Sequence, residues 1–572
     1  MWLVDLAERP WLSSYAPGVP AEVDVPEEPV TAGLYRAAER YPDRIATDFM
    51  GATTTYRSLL EQVERAAEAL RRRGVVAGDR VAIVLPNCTQ HVVAFYAVLR
   101  LGAVVVEHNP TYLVDELAHQ LADSGATVAI CWENAVPAIG EARARTALRE
   151  VIAVDLTRDL PLVKRLLLRL PIRKARATRA AMRGPVPAGM PRWAKSVAAA
   201  PRLDASHPLP AAADLALLQY TGGTTGVPKG AMLTHRNVVA NAVQDAAWTQ
   251  LQDGAETLVG ALPFFHAFGI NVCLVYGIRI GATLVLFPKF DADAVLDAQR
   301  KRPITMFPGV PPMFERVAAA AERRDADLTS IRFAISGAMA LSAETARRWE
   351  ALTGGLVIEG YGLTESSPLA LGNPLSQGRQ PGTLGLPYPS TTIRVVDPED
   401  PTVDVEPGQR GELLVCGPQV FAGYWQCPEE TAETLLAGGW LRTGDIVMVG
   451  PDGFIRLVDR IKEVIITGGF NVYPSQVEDR LREMPGVADV AVVGVPGGDL
   501  GEKVVAAVVM AAGATRLELE AVRAWCGERL ARYAIPRELV FLHELPRSQI
   551  GKVMRRVVRE QLLARLPGSA AG

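Results

Sequence analysis

No two cysteines in this chain are spaced C-x-x-C. The six, at 88, 131, 273, 416, 427 and 526, form no cluster with histidine at metal-ligand spacing, which argues against a disulfide framework and a zinc site and fits a reducing cytosol. Charge of one sign is also missing: 60 Lys and Arg stand against 63 Asp and Glu, leaving −3 and a pI near 6.3. No nucleic-acid partner is expected from that balance, and a polyanion would need a local basic patch. Internal repeats and long low-complexity tracts are absent. The stretch MWLVDLAERPWLSSY has no basic n-region and carries Asp5 and Glu8 before any apolar run, so no secretory signal is expected there. Thr257 to Ile278 contains no Lys, Arg, Asp or Glu and is long enough for a bilayer. Pro263, several glycines and His266 interrupt it, and we read it as core.

What is present is alternation. From Arg80 the segments RVAIVLP, CTQHVVAFYAVLRLG, AVVVEHN, LVDELAHQLADSG and ATVAICW switch between β-branched runs and helical periodicity, which predicts βαβαβ and a mostly parallel sheet covered by helices. TLVLF at 283–287, ITMFP at 304–308 and IRFAIS at 331–336 read as further strands. At 572 residues the chain needs more than one unit. The expected fold is α/β: a large N-terminal body over 1–458 with two sheet-bearing lobes and a smaller β-rich segment at about 390–458, a hinge at 459–463, and a small mobile α+β domain over 464–572. Its strands lie near VADVAVVGVP and KVVAAVVMAAG, its helix near LELEAVRAWCGERLARY, bounded by Pro485-Gly486 and Pro536.

The most informative segment is YTGGTTGVPKG, Tyr220 to Gly230. Gly222, Gly223 and Gly226 let successive backbone N–H groups turn toward one anion, Thr221, Thr224 and Thr225 add hydroxyls, and Lys229 adds a mobile cation. The order is not that of a Walker A loop, because no glycine stands five residues ahead of a Gly-Lys-Ser/Thr triplet, which disfavours a P-loop NTPase. On its own such a loop is also compatible with an ordinary glycine-rich turn.

Four further segments follow in order: PFFHAFG at 263–269, GYGLTE at 360–365, GGWLRTGD at 438–445 with DRIKEVIITGGFNVYP at 459–474, and SQIGKVMRR at 548–556. Together with QYTGGTTGVPKGAMLTHRN they resemble the adenylate-forming superfamily, and most of all its long-chain fatty acyl-CoA synthetases. The resemblance covers nearly the whole chain and is thinnest from about 155 to 205. It implies ATP, Mg²⁺ and coenzyme A as cofactor and co-substrates, a fatty acid as substrate, acyl-AMP as intermediate and acyl-CoA as product. It also implies roles. The loop from Thr221 to Lys229 cradles the outer phosphates. Tyr361 and Gly362 pack on adenine, with Gly337, Ala338 and Met339 flanking it, while Thr364 donates to the α-phosphate and Glu365 holds the metal. Asp445, reinforced by Arg460, accepts the ribose hydroxyls. Lys552 is the catalytic lysine, Lys462 the hinge pivot, Gly468 and Gly469 line the pantetheine tunnel, and His266 borders the acyl pocket beside Phe264, Phe265 and Phe268. His235 is expected to stabilise the start of the following helix. Departures are Gly439, where the subgroup has Asp or Asn more often, and Ala338 and Ala340 in SGAMALS, where Gly and Pro are commoner.

Two other functions stay open at this level: an acyl-AMP ligase that loads a carrier protein, and a membrane-associated fatty-acid uptake protein. The second draws on residues 158–195, basic and leucine-rich with Asp159 as the one acid. Such a composition suits either an interfacial segment at the inner face of the cell membrane or a solvated loop. Assembly as a homodimer is left open.

Overall fold

The computed structural model describes residues 6–221, 228–406, 408–467, 470–497, 501–527, 530–548 and 551–565. Its contacts divide the chain into two compact units: Ser14–Thr392 with Val415–Leu441, and Met1–Ser13 with Ile393–Leu414 and Arg442–Gly572.

Two sheets organise the larger unit. In the first, Glu150–Val154, Val128–Trp132, Arg80–Val84, Val104–Glu107 and Leu215–Thr221 lie side by side and parallel, and Lys229–Thr234 closes the edge antiparallel. The strands are Val/Ile/Ala-rich because both faces are covered, as parallel sheets require. The helices Thr89–Arg100 and Val114–Ser124 are the predicted crossovers, so the βαβαβ reading holds element by element. The second sheet has nine strands, parallel through its centre and antiparallel at both ends. Its central run is Leu356–Gly362, Phe333–Ser336, Met306–Gly309, Thr257–Gly260 and Thr283–Leu286. The strands read from ITMFP and IRFAIS thus start two residues later than the patterns suggested. Thr257–Ile278 resolves into that central strand, a turn, and a buried helical segment Ile270–Gly277. Among the described residues no helix is long and apolar enough to cross a membrane.

The stretch at about 390–458 contains the strands Thr392–Val396, Gly411–Cys416, Trp440–Val449 and Ile455–Arg460. In the smaller unit Val487–Pro496 and Glu502–Met510 pair antiparallel, and Glu538–Phe541 joins parallel. Side chains alternate across this sheet with period two. Val490, Val492, Val504, Ala506 and Val508 face Val477, Leu481, Val522 and Cys526. Ala491, Val493, Val495, Val505 and Ala507 face Val558 and Leu562 of the helix Arg555–Leu563. One short sheet therefore supports two separate cores.

Candidate active site

In an open α/β sheet, ligand-binding loops gather beyond the carboxyl ends of the parallel strands. PFFH follows the strand Thr257–Gly260, SGAM runs on from Phe333–Ser336, and GYGLTE ends and follows Leu356–Gly362. These strands run parallel in one sheet, so the three motifs emerge on one edge. The glycine loop occupies the equivalent position after Leu215–Thr221 in the other sheet.

Thr221 and Lys229 stand opposite each other where that loop leaves and rejoins the sheet; Gly222, Gly223, Thr224, Thr225 and Gly226 lie outside the described residues. Lys229 sits 3.3 Å from Glu430 and 5.4 Å over the ring of Tyr424. The Tyr424 hydroxyl donates to Glu365 Oε1 at 2.6 Å, and burial first, then the Glu365 charge, raises its pKa. Phe421 N–H donates to the Glu365 carbonyl at 2.9 Å and its ring packs edge-on against Tyr424. A continuous contact therefore runs from the phosphate-loop lysine through Tyr424 to the metal-ligand candidate. Tyr424 and Glu430 were not singled out from the sequence, where FAGYWQCPEE shows only an aromatic pair beside acids.

Tyr361 is buried at the end of its strand, and Thr364 opens a short 3₁₀ turn with Glu365. A Cβ at Gly362 would lie 1.8 Å from the Pro368 carbonyl oxygen, and one at Gly337 would lie 2.9 Å from the Phe268 ring, so close backbone approach requires glycine at both. Ala338 is exposed with φ +65°, the left-handed region that costs a non-glycine residue about 1–2 kcal/mol. This is one of the two positions where the chain departs from the family's Gly and Pro. Met339 beside it is half-buried.

His266 caps the short helix Ala267–Gly269, its Nδ1 accepting from Phe268 N–H at 3.3 Å. Desolvation brings its pKa down to about 4, so the ring is neutral at pH 7, and the acceptor role of Nδ1 assigns the proton to Nε2. Asn87 fixes this turn: its Oδ1 accepts from Phe264 N–H at 2.9 Å and its Nδ2 donates to the Leu262 carbonyl at 2.6 Å. Gln219 donates to the Phe265 carbonyl at 2.7 Å. His235 is buried and accepts from Val30 N–H at 3.2 Å, while the start of its helix is capped by Thr234 and Asn237.

In the smaller unit Asp445 and Arg460 are direct cross-strand partners, with Arg460 Nε 2.9 Å from Asp445 Oδ1 and the carboxylate almost wholly buried. The turn before Asp445 is set by Glu412, which pairs with Arg442 and accepts from Gly444 N–H at 3.1 Å. Lys552, 107 positions beyond Asp445 in sequence, shares its charged surroundings. Burial, then Arg460, lowers the Lys552 pKa to about 8, against the upward pull of Glu463 and Asp445. Gly551 precedes it with φ +83°, and Ser548 holds the Lys552 backbone N–H at 3.2 Å. Arg555, three residues on, grips Glu478 through two bonds of 2.7 Å, donates to Ser475 Oγ at 3.0 Å, and pairs with Glu463. Glu463 belongs to the turn Ile461–Glu463 that carries Lys462, whose side chain lies outside the described residues, as do Gly468 and Gly469. Arg555 thereby ties the segment bearing the catalytic-lysine candidate to the hinge candidate.

The model of the AMP-binding enzyme family matches residues 34–425, and that of the AMP-binding enzyme C-terminal domain matches 476–552. The chain belongs to the AMP-binding enzyme family. It is 36% identical to a long-chain-fatty-acid–CoA ligase of Bacillus subtilis, over 97% of this chain and 98% of that protein. It is 38% identical to one of Salmonella typhimurium, over 98% and 100%. The ATP-bound structure of MatB from Rhodopseudomonas palustris is similar at TM-score 0.81 and 30% identity, over 94% of this chain and 99% of that one.

Proposed function

We propose that this enzyme activates a fatty acid with ATP to acyl-AMP and pyrophosphate, then transfers the acyl group to coenzyme A, releasing AMP. Attack of the carboxylate on the α-phosphorus breaks the bond to the bridging oxygen, and negative charge grows on the departing pyrophosphate. The observation that carries the reading is Lys552, a half-buried ammonium in the same charged surroundings as Asp445 and Arg460. Asp445 supplies the acceptor for ribose hydroxyls, and Lys552, protonated at pH 7, supplies a point charge for the developing oxyanions.

In the larger unit, Thr221 to Lys229 would hold the outer phosphates, Tyr361, Gly362, Gly337, Ala338 and Met339 the adenine, and Thr364 the α-phosphate. His266, neutral with its proton on Nε2, would donate to the substrate carboxylate and leave the wall of Phe264, Phe265 and Phe268 to the acyl chain. The residues fit a magnesium ion brought in with ATP: Glu365 is a hard oxygen ligand already oriented by Tyr424, and Mg²⁺ commonly takes one or two carboxylates with phosphate oxygens and water. The ion would neutralise phosphate charge when bound. In the second half-reaction the thiol loses its proton as sulfur bonds to the acyl carbon and AMP leaves. Lys462 would pivot between the two steps, with Gly468 and Gly469 giving the pantetheine arm room.

The test separates the halves. Lys552→Ala is expected to remove acyl-AMP formation, followed as pyrophosphate release, and to leave thioester formation from supplied acyl-AMP near wild type. Lys462→Pro is expected to do the reverse. Loss of the same half by both variants would overturn the two-step reading, and AMP formation independent of CoA would point to a carrier-protein acceptor. A cytoplasmic seat without nucleic-acid partners belongs to this reading. Sedimentation velocity would decide the homodimer.

A further inference from the structure

The segment Phe421 to Glu430 lies against the strand Lys229–Thr234, which carries the chain away from the glycine loop. Met232 N–H donates to the Gly423 carbonyl and Ala422 N–H to the Met232 carbonyl, both at 2.9 Å, and Trp425 N–H donates to the Gly230 carbonyl at 2.8 Å. Tyr424 stands opposite Ala231 as its antiparallel bridge partner. The Trp425 indole N–H reaches on to the Asp123 carbonyl at 3.1 Å, and the Asp123 carboxylate accepts from the Tyr220 hydroxyl at 2.6 Å. Tyr220 belongs to the strand that enters the loop. The segment is therefore a strap bonded to the exit of the glycine loop and linked through Asp123 to its entry.

The far end of the strap turns into the helix Pro428–Thr434. Thr431 sets that turn, its Oγ1 donating to the Cys427 carbonyl at 2.7 Å and accepting from Tyr424 N–H at 2.9 Å. A Cβ at Gly423, where φ is +124°, would lie 2.6 Å from Thr431 Cγ2, so the turn needs glycine there. These bonds deliver Glu430 to Lys229, with Oε1 3.3 Å from Nζ, the lysine 22% and the glutamate 38% accessible. A backbone hydrogen bond first, then Lys229, holds the Glu430 carboxyl below its ordinary pKa, so it is an anion at pH 7.

We infer that Glu430 is a positioning residue for Lys229 and competes with the outer phosphates of ATP, and with pyrophosphate, for the same ammonium. An ammonium that exchanges a carboxylate for a phosphate gains only the difference between two charge-assisted contacts, so Glu430 weakens both ligands by the strength of its own pairing. Exposed pairs are weak, which sets the effect at about two- to fivefold. When the bond to the bridging oxygen breaks, pyrophosphate departs from Lys229, and the return of Glu430 replaces the contact that is lost. AMP has no outer phosphate and is untouched. The inference rests on the proposed assignment of Lys229 to the outer phosphates.

Calorimetric titration of the full chain with ATP, pyrophosphate or AMP, each with Mg²⁺ and without acid, tests it. Glu430→Gln is expected to tighten ATP and pyrophosphate by about two- to fivefold, more at low salt than at high, and to leave AMP unchanged. Product inhibition by pyrophosphate should strengthen by the same factor. A gain in affinity is not what structural damage produces. Glu429→Gln removes the same charge from the same helical turn, where the side chain is exposed and forms no ion pair among the described residues; it should bind all three ligands as wild type does. On a Lys229→Ala background Glu430→Gln should add nothing. Unchanged or weaker ATP and pyrophosphate binding in Glu430→Gln, equal tightening of AMP, an equal gain in Glu429→Gln, or a gain that persists without Lys229 would overturn the inference. Wild-type pyrophosphate binding by Lys229→Ala alone would remove the assignment of Lys229, and the inference with it.

Discussion

Two arginine-bearing regions of this molecule differ in the acids around them. Around Arg555, the neighbouring arginines have acidic partners among the described residues: Glu478 and Glu463 for Arg555 itself, Asp445 for Arg460, Asp489 for Arg547 and Glu502 for Arg559. From 162 to 181 there are seven cations and no acid. Partnered guanidinium groups fix geometry because removing one strands a buried carboxylate. Unpartnered ones on a surface leave geometry alone and remain available to a ligand.

The sharpest way to break this contrast is at its catalytic end. Lys552→Ala should lower acyl-AMP formation by about 10²–10³, the scale for losing one preorganised charge at a transition state, measured by single-turnover pyrophosphate release. Arg555→Gln comes next. Glu478 and Glu463 are only 4% and 13% accessible; Glu478 keeps Arg482 at 3.3 Å and the Val492 N–H at 2.8 Å, so the loss falls chiefly on Glu463 and should destabilise the smaller unit by about 2 kcal/mol, read by denaturant unfolding, with Arg555→Lys recovering part of the loss. If Arg555→Gln unfolds like wild type, the partnered network has no structural role.

A pH series sharpens the same end. Lys552 is charged below about 8 and neutral above, so adenylation should be full at pH 7 and fall as pH rises through about 8. Arg460 depresses that pKa, so Arg460→Gln should move the fall to higher pH, even where ribose binding weakens. A limb that stays in place would show that another group titrates. The smallest effect is expected in the segment 162–181: Arg173→Gln with Arg176→Gln should change unfolding free energy by no more than about 0.5 kcal/mol, because neither side chain has an acid to lose among the described residues.

Much of the fold was legible because it rests on local periodicity. RVAIVLP and AVVVEHN are strands buried on both faces, and CTQHVVAFYAVLRLG can only be a covered helix. The motifs were legible because glycine spacing carries geometry, as at Gly362, where a single Cβ would collide with Pro368. The supporting contacts were not. Tyr424 reaches Glu365 across 59 positions, Arg555 reaches Glu463 across 92, and Asn87 reaches Phe264 across 177. A hydrogen bond between distant segments leaves no period and no spacing in either one. The basic segment was visible as composition, but its choice between packed loop and exposed surface depends on burial, which only the folded chain displays.

The sheet with a core on each face carries a consequence for how this gene tolerates change. Val490 and Val492 serve one core, and Ala491 and Val493 serve the other. A one-codon insertion or deletion within Val487–Pro496 would send each set to the wrong side, so length variation in the smaller unit is confined to its connections, whereas point changes that keep each side's volume are open to it.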